Sequence, residues 1–85
     1  MDKSYQDTLN SSYRMLRKEL GADEPDNRIL AGLVTGIQPV YEMDFFQDYT
    51  GQWESEFEAT PAELLRIFED PGETFVYTEK YQDRN

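Results

Sequence analysis

The chain has 85 residues and a net charge of −10, and it contains neither histidine nor cysteine. These features exclude a disulfide framework and a thiolate metal site, and they remove the commonest general base and metal ligand. The length predicts one small domain, residues 1–85, and five Phe, six Tyr and one Trp indicate a folded rather than a disordered chain.

An amphipathic helix is predicted over residues 4–20. Its apolar side chains, which include Leu9, Tyr13 and Leu16, recur at helical spacing and form one stripe. Gly21 follows the last of them and can end the helix, because glycine readily adopts the conformation found there. We therefore expect this helix to bury its stripe against the rest of the domain.

A second helix is predicted over residues 25–36. Pro25 fits its first position, and Pro39 prevents its continuation. Gly36 is expected to close it, and Gly32 is expected to allow close packing against the first helix. A strand over residues 29–37 is the alternative.

Residues 40–58 are predicted to form an antiparallel β-hairpin. Two runs of alternating apolar and polar residues, at about residues 40–47 and 52–58, flank the sequence Asp48-Tyr49-Thr50-Gly51. Aspartate and glycine at these positions are typical of a type I turn whose last residue is left-handed. The register that follows sorts the side chains, so that one face is apolar and the other is acidic.

A third helix is predicted over residues 61–69, because Thr60-Pro61-Ala62-Glu63 has the pattern of a capping box with proline in the first helical position. Asp70-Pro71-Gly72 is predicted to be a turn. Residues 73–80 are rich in threonine, valine and aromatic residues and predict a third strand. Residues 82–85 are expected to form a frayed tail.

The predicted fold class is therefore α+β, with the order α-α-β-β-α-β. The apolar stripes of the two helices must be buried against another surface, and the apolar face of the hairpin is the large apolar surface of the predicted sheet. We expect the helices on one face of a three-stranded sheet and the acidic face left open. The sequence leaves undecided whether the third strand pairs with the first or the second.

Negative charge is concentrated in the C-terminal half. Residues 38–79 contain eleven acidic residues and only one basic residue, Arg66. Such a field attracts basic proteins and repels nucleic acid and membrane surfaces. The hairpin is predicted to present its acids, with two neighbouring aromatic residues, to a partner. These predicted partner-binding residues are Glu42, Asp44, Phe46, Asp48, Tyr49, Glu54, Glu56 and Glu58.

Catalysis and cofactor chemistry are not predicted. The serines have no histidine to activate them, and an open sheet face offers no cleft that could separate the pKa values of two carboxylates. The carboxylates are hard ligands that suit Ca²⁺ or Mg²⁺, but alternate positions on a flat sheet do not enclose an ion and no EF-hand loop is present. We therefore predict no enzyme activity, no metal and no cofactor.

Two functional hypotheses follow from the acidic face. Carboxylates in two ranks at fixed spacing could occupy the basic groove of a DNA- or RNA-binding protein. In size, acidity and lack of catalytic residues the chain resembles the small DNA-mimic inhibitors made by phages and mobile elements, which include anti-restriction and anti-CRISPR proteins. The alternative is an adaptor module that binds a basic partner without mimicry. A merely solvated acidic face is the default against which both are weighed.

No apolar run approaches the length of a membrane span, and residues 1–10 lack the apolar core of a signal peptide. The expected location is the cytoplasm, with no membrane contact and no direct binding of nucleic acid.

Overall fold

A computed structural model describes the backbone of residues 3–84, and the side chains of that range except those of residues 3–6, 8, 44, 45 and 84. These residues form five α-helices and one 3₁₀ helix, and no strand is found among them. The elements in chain order are α1 Lys3–Leu20, α2 Asn27–Tyr41, a 3₁₀ helix Asp44–Asp48, α3 Thr50–Phe57, α4 Pro61–Phe68 and α5 Pro71–Arg84.

The predicted α+β fold is wrong, because both the hairpin and the third strand are helical. Residues 40–58 contain the end of α2, the 3₁₀ helix and α3. Phe46, Trp53 and Phe57 are all fully buried, and their spacings of seven and four residues place them on one face of a helical path. The apolar residues of this stretch therefore fit the spacing of a helix as well as the alternation of a strand.

The three remaining helix predictions are confirmed in position, with changes at the ends of α2. The helix begins at Asn27 rather than at Pro25, because the Asp26 side chain caps it by accepting a hydrogen bond from the Arg28 amide. It also runs past Gly36 and contains Pro39 in its last turn. Pro39 has no N–H, so this last turn lacks the backbone hydrogen bond that another residue would donate there.

The predicted role of Gly32 is wrong. A methyl group built on Gly32 or on Gly36 would meet nothing within 4 Å, so neither glycine is needed for close packing against α1. Both lie on the exposed side of α2. The buried side of this helix is formed instead by Leu30, Val34 and Ile37.

The core lies between all of the helices. α2 packs against α1 and α4, and α5 packs against α4 and α1. At its centre the ring of Trp53 lies 4.6 Å from that of Phe57 and 5.4 Å from that of Tyr13, measured between centroids. The other buried apolar residues are Leu9, Leu16, Leu20, Leu30, Val34, Ile37, Phe46, Ala59, Leu64, Phe68 and Tyr81.

Two N-terminal caps define the last two helices. Thr60 and Glu63 form the predicted capping box of α4, which is confirmed. The Asp70 carboxylate accepts hydrogen bonds from the amides of Gly72 and Glu73, at 2.8 and 3.1 Å, and so caps α5 where a turn before a strand was predicted. The buried face of α5 then consists of Thr74, Thr78 and Tyr81.

Replacing Gly51 by alanine is expected to raise the free energy of unfolding by about 0.5–1 kcal/mol. Gly51 lies in the first turn of α3, a methyl group there meets nothing within 4 Å, and no described glycine has a positive φ. A glycine in the left-handed position of a hairpin turn would give the opposite sign, because alanine is strained there. Urea unfolding of the two proteins distinguishes the folds, and a loss of stability would favour the hairpin.

Candidate functional site

The seven predicted partner-binding residues whose side chains the structure describes do not all lie at the surface. Glu42, Asp48, Glu54 and Glu58 are exposed, whereas Phe46 is fully buried. They are distributed over the end of α2, the 3₁₀ helix, α3 and its C-terminal cap. The two ranks of carboxylates expected on a sheet are therefore absent, and with them the regular spacing on which the comparison with phosphates was based. The side chain of Asp44 lies outside the described residues.

The two aromatic residues predicted to anchor a partner are held within the domain. Phe46 packs against Trp53, with ring centroids 6.3 Å apart, and has no exposed surface. Tyr49 is half-buried, and its ring lies edge-on to Phe46 at 6.0 Å. Phe46 therefore contributes to the core rather than to a surface.

Glu56 is tied to two other helices. Its carboxylate oxygen Oε1 accepts a hydrogen bond from Arg17 Nε on α1 at 2.8 Å and one from the Tyr81 hydroxyl on α5 at 2.9 Å. The Glu56 side chain is 29% exposed and that of Arg17 47%, so the ion pair is partly shielded from water. These contacts join α1, α3 and α5, which makes Glu56 a structural residue.

Tyr13 lies beside this pair with a buried hydroxyl that has no hydrogen-bond partner. Burial raises the pKa of Tyr13 from its ordinary value of 10.0 to about 12, against the opposing effect of the Arg17 charge. The Arg17 guanidinium carbon lies 5.4 Å from the centre of the Tyr13 ring. A buried hydroxyl without a partner destabilises a folded protein.

Replacing Tyr13 by phenylalanine is expected to raise the free energy of unfolding by about 1 kcal/mol at neutral pH. The advantage of the variant should grow in alkali. Because folding raises the pKa of Tyr13, the unfolded chain loses this proton first, and the wild type loses stability as the pH rises from 10.0 to about 12. Urea unfolding at pH 7, 10 and 11 (rough steps across this window) tests this. A destabilised variant at neutral pH would show that the hydroxyl has a partner.

Three carboxylates line a shallow hollow between α3 and α4, which we call the acidic hollow. Its lining residues are Glu54, Glu58, Ala59, Thr60 and Glu63, and its volume is about 310 Å³. Neither lysine nor arginine occurs among the described residues that line it. Its acidity follows from local structure, because Glu54 and Glu58 are four residues apart at the end of α3 and Glu63 lies in the first turn of α4.

Each carboxylate of the acidic hollow has a defined position. Glu54 accepts a hydrogen bond from the Tyr41 hydroxyl at 3.1 Å. Glu63 accepts bonds from the amide and the hydroxyl of Thr60 in the capping box. Glu58 has a left-handed backbone, with φ of 57°, and forms the C-terminal cap of α3. The cap turns the chain so that α4 starts within reach of α3.

The carboxylates of the acidic hollow affect the pKa of the neighbouring Tyr41 hydroxyl. Burial raises the pKa of Tyr41 above its ordinary value, and the hydrogen bond to Glu54 adds to the effect. The charges of Glu54 and Glu63 act in the same direction. Both carboxylates therefore act on the same hydroxyl group.

The residues present limit the chemistry of the acidic hollow. In the described part of the chain no group of three or more aspartate or glutamate residues is arranged to hold a metal ion. No described helix is long and apolar enough to cross a bilayer. The hollow is suited to ammonium or guanidinium groups, which carboxylates bind through charge-assisted hydrogen bonds.

Sequence reasoning found Glu54 and Glu58 but missed Glu63 as part of the site. Glu63 was interpreted only as a member of the capping box, a role it does have. The short link from Glu58 to Thr60 was the available signal, because a connection of this length between two helices keeps their adjoining ends together.

Comparison with known proteins assigns the chain to no family. No family model matches it, and neither a curated protein nor a solved structure is significantly similar to it.

Proposed function

We propose that this protein is a non-enzymatic acidic binding protein that docks onto a basic surface of another protein. The observation that carries the proposal is the acidic hollow, where Glu54, Glu58 and Glu63 converge. Like charges that line one hollow repel one another, and the repulsion weakens as their separation grows. A cationic partner group converts this repulsion into attraction.

The net charge of −10 supports the same proposal at longer range. It increases the rate of encounter with basic proteins and decreases the rate with nucleic acid and anionic membranes. Binding should therefore weaken as salt increases, because the Debye length shortens from about 30 Å at 0.01 M to about 8 Å at physiological ionic strength.

The first partner class to test is a nucleic-acid-binding protein, whose Lys/Arg groove already fits an anionic surface. This part of the proposal rests on charge and not on a regular array of carboxylates, because the predicted sheet is absent among the described residues. Inhibition by occupation of such a groove requires that the protein and nucleic acid exclude each other. An adaptor on another basic surface would leave nucleic acid bound.

The test compares two charge-reversed variants of equal net charge. Glu54→Lys with Glu58→Lys alters the acidic hollow, whereas Glu24→Lys with Asp83→Lys alters exposed carboxylates outside it. Wild type and both variants are used to capture basic proteins from a cell extract at low and moderate salt. We expect the hollow variant to retain at least about tenfold less of its partner, equivalent to 1.4 kcal/mol, than the control variant.

Equal losses in both variants would show that the overall field is sufficient and that the hollow is not a site. The captured partner is then titrated with a DNA or RNA duplex in the presence of this protein. Displacement of the duplex supports occupation of a nucleic-acid groove. A stable ternary complex supports the adaptor.

A further inference from the structure

The acidic hollow is one end of a longer depression, which we call the α4–α5 groove. A second hollow shares Glu58, Ala59 and Glu63 with it, and a third shares Ile67, Tyr77 and Lys80 with the second. The groove therefore continues from the junction of α3 and α4 along the seam between α4 and α5. The third hollow, of about 590 Å³, is also lined by Asp70, Gly72, Glu73 and Val76.

The middle and far parts of the groove have an apolar wall. Val76 is 57% exposed, so its side chain is accessible to a partner. Ile67 and Tyr77 beside it are half-buried, and the Tyr77 hydroxyl is satisfied by the Phe57 carbonyl at 2.6 Å. A partner's apolar side chain that covers such a wall makes the free energy of binding more favourable.

Acidic residues lie at both ends of this apolar wall. Glu54 and Glu63 are at the α3 end, and Glu73 is at the end near the start of α5. Lys80 is the one base among the described residues that line the groove, and it is exposed. The groove is thus complementary to a segment with positive charge at both ends and apolar side chains between them.

We propose that the α4–α5 groove binds an amphipathic helix of a partner protein, with leucine-like side chains against Val76 and Ile67 and Lys or Arg residues at both ends. This inference rests on the proposed function and identifies the surface and the partner segment. Laying an amphipathic helix into a groove is a general mode of recognition, and the apolar contacts supply affinity while the charges set its position.

The chain offers a control residue on α5 that lies outside the α4–α5 groove. Phe75 is 67% exposed and adjoins Val76 in sequence, but it lines a separate hollow with Asp23, Glu24 and Glu79. Phe75→Ser therefore removes more exposed apolar surface from the same helix than Val76→Ser does, which makes it a stringent control. Only one of them changes the α4–α5 groove.

The probe is a synthetic helical peptide with leucines along the middle of one face and lysines at both ends, and its control has serines in place of the leucines. Affinities are measured by fluorescence anisotropy at low salt. We expect Val76→Ser to weaken binding of the leucine peptide about tenfold and Phe75→Ser to leave it unchanged. Chemical-shift changes on titration should include the backbone amides of Ala59, Ile67 and Tyr77.

A gain of affinity provides a second test that a misfolded variant cannot imitate. Lys80→Gln should strengthen binding of the leucine peptide about threefold, because it removes a like charge from the middle of the groove. Lys18→Gln makes the same change of net charge on the exposed side of α1 and should have a smaller effect.

The outcomes separate this inference from the proposed function. If Glu54→Lys with Glu58→Lys abolishes binding but Val76→Ser binds as wild type does, the acidic site stands and the groove is overturned. If Phe75→Ser is the damaging change, the partner segment lies on the other side of α5 and the groove is again overturned. If wild type binds neither peptide at low salt, the groove is overturned, whereas the proposed function is decided by the capture experiment with the charge-reversed variants.

Discussion

Replacing Trp53 by alanine is expected to lower the free energy of unfolding by about 3–5 kcal/mol, a large part of the roughly 5–15 kcal/mol that stabilises a domain. Trp53 is fully buried, and its ring lies within 6.3 Å of those of Tyr13, Tyr41, Phe46 and Phe57. Alanine would leave a cavity among these rings. Urea unfolding followed by far-UV circular dichroism measures the loss without depending on tryptophan fluorescence.

Two further variants separate the parts of this effect. The Trp53 indole N–H donates a hydrogen bond to the Ala59 carbonyl at 2.9 Å, and Trp53→Phe should lose it at a cost of about 1–3 kcal/mol while keeping an aromatic ring. Gln52→Ala, on the exposed side of α3, should change stability by less than about 0.5 kcal/mol. If Trp53→Ala proved as stable as Gln52→Ala, Trp53 would not be part of the core.

The helices with conventional ends could be predicted from the sequence. α1 ends next to Gly21, and α4 begins with the Thr60–Glu63 capping box. In both cases the terminal residues and the apolar spacing indicate the same structure, and agreement between local signals makes a prediction dependable. The ends of α2 were missed because an aspartate cap and a late proline allow more than one boundary.

The hairpin prediction failed because one stretch supports two periods. Tyr41, Met43 and Phe45 alternate with polar residues, but Phe46, Trp53 and Phe57 also follow a helical path, and burial favours the second set. Two features argued against the strand from the beginning. Glutamate is depleted in strands, and the proposed register set carboxylates directly opposite each other.

In α5, too, two local signals disagree, because a helix-capping pattern is followed by residues with strand propensity. The sequence Asp70-Pro71-Gly72-Glu73 repeats the pattern of Thr60-Pro61-Ala62-Glu63, with a capping side chain, a proline, a small residue and a glutamate. The run of threonine, valine and aromatic residues after it has strand propensity. Tertiary packing outweighs this preference, because Thr74, Thr78 and Tyr81 at spacings of four and three residues give α5 a buried face.

The candidate site could be predicted only in part. An excess of acids over residues 38–79 shows that most of them must lie at the surface, as Glu42, Asp48, Glu54 and Glu58 do. Which of them lie together depends on the fold. Glu54 and Glu58 would share a side in a strand as well as in a helix, but Glu56 is separated from them because α3 is a helix, and Glu63 joins them because α4 starts directly afterwards.

Charge reversal is therefore expected to destabilise the protein at Glu56 but not at Glu54. Glu56→Lys should lower the free energy of unfolding by about 2 kcal/mol, because it removes the acceptor of the Arg17 and Tyr81 hydrogen bonds and places like charges together. Glu54→Lys should leave it within about 0.5 kcal/mol of wild type, since that carboxylate is exposed. Urea unfolding of both variants measures the difference.

A double-mutant cycle shows whether the Glu56 effect comes from its contacts. Tyr81→Phe removes the hydroxyl that donates to Glu56, so combining it with Glu56→Ala should show a coupling of about 1 kcal/mol. Tyr41→Phe combined with Glu54→Ala tests the corresponding exposed pair and should couple less. If Glu56→Lys proved as harmless as Glu54→Lys, the carboxylate would not link α1, α3 and α5, and Glu56 would return to the set of residues available to a basic partner.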